Sequence, residues 1–202
     1  MEGHNQKGFT TLELMTALSL TVLFAASFFY CFQGMNAEMW RSKVYFNTSV
    51  SAKNVMDRMA RDVEEANSAV AAYGGNTTGT TCLILKLPSV DGSGVPTSIS
   101  SQFDYVTYKI NPSDSTQLLR SLDVLNGTSS REGGADVSNM VVARSVNTIA
   151  FSYAGTALSS VSATTIPTMK YINVQITTQG TTLGANQQTQ VDSDLMLRNL
   201  IT

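Results

Sequence analysis

The chain has 202 residues, with 13 Lys and Arg against 15 Asp and Glu, a formal net charge of −2, two cysteines and one histidine. Both signs of charge are interspersed, which argues against a nucleic-acid partner and gives no acidic tail. His4 is the only imidazole, so removal of the N-terminal segment would leave no Ser-His-Asp, Cys-His or His-ligated zinc chemistry.

The first predicted element is apolar. In "KGFTTLELMTALSLTVLFAASFFYCF" (Lys7–Phe32) the stretch from Leu14 to Phe32 is mostly Leu, Ala, Phe and Val, with four Ser/Thr residues. No charge occurs from Leu14 to Ala37. A helix of about 20 such residues spans a bilayer core. One acid, Glu13, stands at the head of the run, five residues after Gly8. A carboxylate there costs about 2.5–3.5 kcal/mol on insertion scales and persists where it finds a partner or reaches the headgroups. Trp40 suits the membrane interface. Lys7 on one side and Arg41 and Lys43 on the other leave the orientation undecided by charge.

Helical periodicity continues past the apolar run. Ala52, Val55, Met56, Met59, Ala60, Val63, Ala66 and Val70 recur at i, i+3, i+4 and predict one buried helix face. Lys53, Asp57, Arg58, Arg61, Asp62, Glu64 and Glu65 are expected on a solvated face, with Asp57–Arg61 and Arg61–Glu65 as i, i+4 pairs. The first strong stop signal is Tyr73-Gly74-Gly75-Asn76. An unbroken helix from Phe9 to that point would be about 95 Å long at 1.5 Å per residue.

Beyond Gly75 the pattern becomes short strands. "CLILKL" (Cys82–Leu87), "FDYVTYKI" (Phe103–Ile110), "QLLRSLDVL" (Gln117–Leu125), a short element and then a strand in "MVVARSVNTIAFSYA" (Met140–Ala154), "KYINVQITTQ" (Lys170–Gln179) and "TQVDSDLMLRNL" (Thr189–Leu200) are the candidates. Ile172, Val174 and Ile176 alternate with Tyr171, Asn173, Gln175 and Thr177. The expected fold class is α+β, a long N-terminal helix packed on an antiparallel sheet. The expected segments are 9–37 (transmembrane half of the helix), 38–73 (amphipathic half) and 74–202 (β-rich head), with 1–8 as a leader only by the family resemblance described next.

Three readings of the N-terminal segment stand. One is a secretory signal peptide cut at "FAAS", the second a plain anchor. Neither requires Gly8 or Glu13. In the third, Lys7-Gly8, Phe9 and Thr10-Thr11-Leu12-Glu13 resemble the prepilin signal of type IV pilins and type II secretion pseudopilins. That resemblance implies cleavage by a prepilin peptidase between Gly8 and Phe9, and N-methylation of Phe9. It also implies an assembly role for Glu13, neutralising the amine of a neighbouring subunit. Many members carry a bulky apolar residue where this chain has Thr11. "DRMARDVEEANS" (Asp57–Ser68), "VTYKI…QLLRSLDVL", "VARSVNTIAFSY" and "LMLRNL" are similar, more loosely, to J-type minor pseudopilins and W-type minor pilins. The family reading is a non-enzymatic subunit that initiates or caps a pilus-like or secretion filament. It implies a bacterial inner-membrane location, with the N-terminus cytoplasmic and the head extracytoplasmic, and later a filament tip. Partners would be the peptidase, other minor subunits and the major subunit. The alternative is a filament-tip binding module, an adhesin or DNA-uptake receptor, on the same anchor.

Other chemistry finds little purchase. No P-loop or GxGxxG is present and no cofactor is expected. "VDGSG" (Val90–Gly94) offers one acid, Asp91, against the six to eight oxygens calcium takes. Asp192 and Asp194 fall on one face of a strand and are expected to be solvated. Cys31 and Cys82 are expected as buried free thiols, because one lies at membrane depth and the other in a distant strand.

Overall fold

The computed structural model of the chain describes residues 10–97, 102–124, 129–182 and 185–197. Two compact units divide at Lys43/Val44. One helix, α1 (Thr11–Glu65), provides the first unit and contributes its C-terminal turns to the second. In the second unit it packs against antiparallel β-sheets, so the long apolar helix and the antiparallel α+β layout are both found.

The sheets contain β1 (Ser68–Ala69), β2 (Ala72–Tyr73), β3 (Asn76–Thr77), β4 (Cys82–Pro88), β5 (Phe103–Asn111), β6 (Asp114–Asp123), β7 (Val137–Ala143), β8 (Val146–Tyr153), β9 (Thr156–Ala157), β10 (Tyr171–Thr182) and β11 (Ala185–Met196). Five form one sheet in the order β1-β4-β5-β6-β7, and four form another in the order β11-β10-β8-β9. β2 and β3 pair separately. The segment Met140–Ala154, expected to hold a short element and then a strand, carries the end of β7 and all of β8, which belong to different sheets.

Alternation builds the core. Leu83, Leu85, Val106, Leu118 and Leu122 of the first sheet are buried, as are Ile149, Phe151, Ile172, Val174 and Ile176 of the second. Their neighbours Tyr171, Asn173 and Gln175 are only half-buried, as the period-2 pattern requires. Thr177 departs from it and is buried, next to a register shift between β10 and β8. Ala52, Val55, Met56, Met59 and Val63 of α1 enter the same core. Gly180 of β10 lies against α1, and a Cβ there would stand 2.3 Å from Val44 Cγ1 and 3.2 Å from Thr48 Cγ2. Nearby, the Thr178 hydroxyl donates to the Thr48 carbonyl at 3.2 Å.

The helix ends earlier than the Tyr73–Asn76 signal predicts. It stops at Glu65, where the chain turns and lies along β4 as β1. The Asn67 amide donates to Lys86 O (2.8 Å) and the Val70 amide to Ile84 O (2.9 Å). Ladder bonds to a strand edge replace helical ones, while Ala66 and Ala69 stay buried. The apolar period thus continues through a change of secondary structure.

Candidate functional site

In the first unit, the feature of interest is the start of α1. Thr10 caps the helix: Leu14 N donates to Thr10 O (3.1 Å) and Glu13 N to the Thr10 hydroxyl (3.3 Å). The Glu13 carboxylate reaches back and accepts from Thr10 N (2.9 Å) and from the Thr10 hydroxyl (3.0 Å). This is a reciprocal capping box, Thr-x-x-Glu, and it supplies Glu13 with donors inside its own chain. The sequence analysis missed it, although the spacing Thr10–Glu13 is its signature. Gly8 and Phe9, the predicted cleavage and methylation residues, lie outside the described residues.

From Leu12 on, the helix is long and apolar enough to cross a membrane, and its apolar window is not buried in protein. Leu14, Met15, Leu18, Leu23, Phe24 and Phe28 are all exposed. Polar side chains within the run satisfy themselves locally. The hydroxyls of Ser19, Thr21 and Ser27 donate to the carbonyls of Met15, Ala17 and Leu23 at 2.8, 2.8 and 2.9 Å. Thr16 shares its proton between Leu12 O and Glu13 O. A hydroxyl so engaged makes no demand on lipid. Past the run, Lys43 Nζ stands 5.1 Å from the centre of the Trp40 ring, a cation–π pair suited to an interface. Cys31 is exposed on this helix, not buried as expected, because no protein surrounds the run; Cys82 is half-buried, and both are free thiols.

The second unit holds a charged cleft of about 500 Å³ between the end of α1 and the segment Ser130–Glu132. It corrects one expectation. Asp62 is not on a solvated face but is buried, under the guanidinium of Arg120. Arg120 Nε donates to Asp62 Oδ2 at 2.8 Å and Nη2 to Oδ1 at 3.2 Å. Tyr108 Oη donates to Oδ2 at 2.6 Å. The local cause is strand alternation: Leu118, Arg120 and Leu122 share the core face of β6, and Tyr108 pairs with Arg120 across β5–β6. Burial opposes the charge on Arg120, but the hydrogen bonds and charge of Asp62 outweigh it and raise its pKa. Burial, then the Asp62 charge and hydrogen bond, push the Tyr108 phenol above its ordinary range.

Glu132 and Arg131 extend the network. Arg120 Nη1 is buried and lies 2.9 Å from Glu132 Oε1, an ion contact outside hydrogen-bonding angles, which leaves that nitrogen without a hydrogen-bond partner. Arg58 Nη2 donates to the same Glu132 oxygen at 3.0 Å. Arg131 pairs with Glu65 and donates through Nε to the fully buried Asp104 (3.1 Å) and through Nη2 to Pro88 O (2.9 Å). The hydroxyls of Ser89 and Ser129 also donate to Asp104, at 3.0 and 2.6 Å. The expected Asp57–Arg61 ion pair does not form; Arg61 Nε donates instead to the Asp57 carbonyl at 3.2 Å. Replacing Arg131 by Ala would take the guanidinium away from the buried Asp104 carboxylate. We expect a loss of about 2–4 kcal/mol, read as a lower urea midpoint with an unchanged slope.

The remaining candidates are ordinary. Asp91 Oδ1 accepts from the amides of Ser93 (2.8 Å) and Val95 (3.0 Å), closing its own turn. Asp192 and Asp194 are exposed, and Asn173 Nδ2 donates to Asp194 at 3.0 Å. Among the described residues no three His, Cys, Asp or Glu side chains cluster as a metal site. No family model, curated protein or solved structure matches the chain.

Proposed function

We propose that this chain is a minor pilin or pseudopilin: a non-enzymatic subunit held in the inner membrane by α1, cut between Gly8 and Phe9, and assembled at the start or tip of a filament. The observation that carries this reading is the placement of Glu13. It stands five residues after Gly8, at the head of an exposed apolar helix whose far end is folded into a β-sheet unit. The capping box gives the acid a use in any helix, but a plain anchor does not require the glycine five residues before it. Cleavage would put a free amine on Phe9, four residues from Glu13, where it competes with Thr10 for the carboxylate. In a filament the amine of a neighbouring chain would make the same exchange. A desolvated pair of that kind fixes register more than it adds stability, because a misplaced subunit leaves a charge unpaired.

The test is the mass of the N-terminal peptide from membrane-purified protein. A peptide beginning at Phe9 with one added methyl group is expected. An intact Met1, or a cut near Ala26, would overturn the reading in favour of a plain anchor or a secreted domain.

A further inference from the structure

One wall of the charged cleft is a turn that is held unevenly. Its root is fixed. The Ser130 amide donates to Val90 O (2.8 Å), and the Ser129 hydroxyl donates to Asp104 and accepts from Val90 N (3.3 Å). Arg131 is bonded to Asp104 and Pro88. The chain is fixed again at Asp136, whose Oδ1 accepts from Val124 N (2.9 Å). Between these points Glu132, Gly133, Gly134 and Ala135 form an exposed tip. Three successive residues of it have positive φ: Glu132 at 47°, Gly133 at 89° and Gly134 at 74°. The glycines take such angles freely, whereas a glutamate there is strained. The tip is closed by the Gly133 amide on Ser130 O (3.1 Å), the Gly134 amide on Arg131 O (3.0 Å), and the Glu132 carboxylate against Arg58 and Arg120.

We propose that Glu132 is a charge-operated latch: its carboxylate holds the tip closed against Arg58 and Arg120, and its release lets water reach the buried Arg120–Asp62 pair. Two small effects oppose each other at this residue. Glu132 and Arg58 are each about one-third exposed, so their ion contact is weak and screened by salt. The left-handed backbone of Glu132 pulls the other way. Arg61 also lines the cleft but donates to the Asp57 carbonyl, so the latch rests on Arg58 and Arg120. Opening is local, because the root stays bonded to Asp104, which is fully buried. Beneath the tip, Arg120 Nη1 is buried, touches Glu132 and has no hydrogen-bond acceptor. Water admitted by an open tip would supply that acceptor, while Asp62 keeps its two bonds to Nε and Nη2. The latch does not depend on how the N-terminal helix is read.

The experiment uses the full chain in detergent micelles and reads hydrogen exchange by NMR. The Gly133 and Gly134 amides report on the tip, and the Arg120 Nη1 protons on the pair beneath it. Glu132→Gln keeps the side chain's size and removes its charge. It should speed exchange of both glycine amides at least tenfold, and of the Arg120 Nη1 protons with them, while the amides of β5 keep their rates. Arg58→Gln, at a partly exposed position, should act in the same direction. Raising sodium chloride from about 0.05 M to about 1 M should speed the same protons in the unaltered chain and leave E132Q as it was. Glu132→Gly removes the strain together with the charge, so its tip should exchange more slowly than that of E132Q and ignore salt. Unchanged glycine exchange in E132Q, an equal rise throughout β5, Arg120 protons that keep their rate while the tip opens, or E132G exchanging faster than E132Q would each overturn the proposal.

Discussion

Asp62→Ala should destabilise the β-sheet unit by about 3–5 kcal/mol, because it leaves the Arg120 guanidinium buried with its principal counter-charge gone. At about 2–4 °C per kcal/mol for a unit of this size, the thermal midpoint should fall by roughly 10 °C. The cause is not loss of a favourable pair as such. Taking both ions from water costs several kcal/mol each, and their attraction does little more than repay it. The loss comes from removing one partner and keeping the cost of the other. Tyr108 adds to it, since its hydroxyl loses the acceptor at 2.6 Å. Replacing all three together, as Asp62→Leu, Arg120→Met and Tyr108→Phe, should therefore be close to neutral. Urea unfolding of both variants decides the matter. A single-variant loss below about 1 kcal/mol would show that water reaches Asp62 and that the pair is no more than a surface bridge.

The second large effect is expected at Gly180. An added methyl group would stand 2.3 Å from Val44 Cγ1, far inside van der Waals contact, and 3.2 Å from Thr48 Cγ2. Neither neighbour yields easily. A β-branched side chain on a helix has one strongly preferred rotamer, and Thr48 is further tied by its hydroxyl to Val44 O and Tyr45 O at 3.1 and 3.0 Å. Gly180→Ala must therefore push α1 away from β10, at a cost of about 1–3 kcal/mol. Val44→Ala in the same chain removes the nearest atom and should restore most of the loss. A double-mutant cycle on the urea midpoint reads this coupling directly. Simple additivity of the two changes would show that helix and strand do not meet at this point.

β5 and β10 are legible by their sustained alternation and β4 by its unbroken apolar run, while β6 and β11 overlap further strand candidates. The two-residue strands β2, β3 and β9 have no room to display a period and could not be found that way. The end of α1 was misread because Ala66 and Val70 extend the helical stripe while serving a strand edge. Charge was the harder case. Asp62 was placed among solvated residues by its helical neighbours, yet Arg120 lies between Leu118 and Leu122 on a strand face that alternation turns inward. A cation at such a position predicts a buried acid somewhere else in the chain. Only the topology says that the acid comes from α1, because β6 and the end of α1 are 58 residues apart in the Asp62–Arg120 pair. At the N-terminus the opposite happened. The Thr10–Glu13 box is fully present in the letters, at the spacing that defines it.

The two arginine anchors also decide how the head answers a pull. Tension entering at Val44 travels along α1, past its contact with β10 at Val44 and Thr48, to the helix's last turns. There Asp62 is fastened to β6 through Arg120, and Glu65 is fastened through Arg131 to Asp104 on β5 and to Pro88 on β4. These three strands are neighbours. A load on the end of the helix is therefore spread over three strands and does not rest on one fastening alone. A head joined to its helix in this way resists mechanical extraction better than its few ionic contacts suggest.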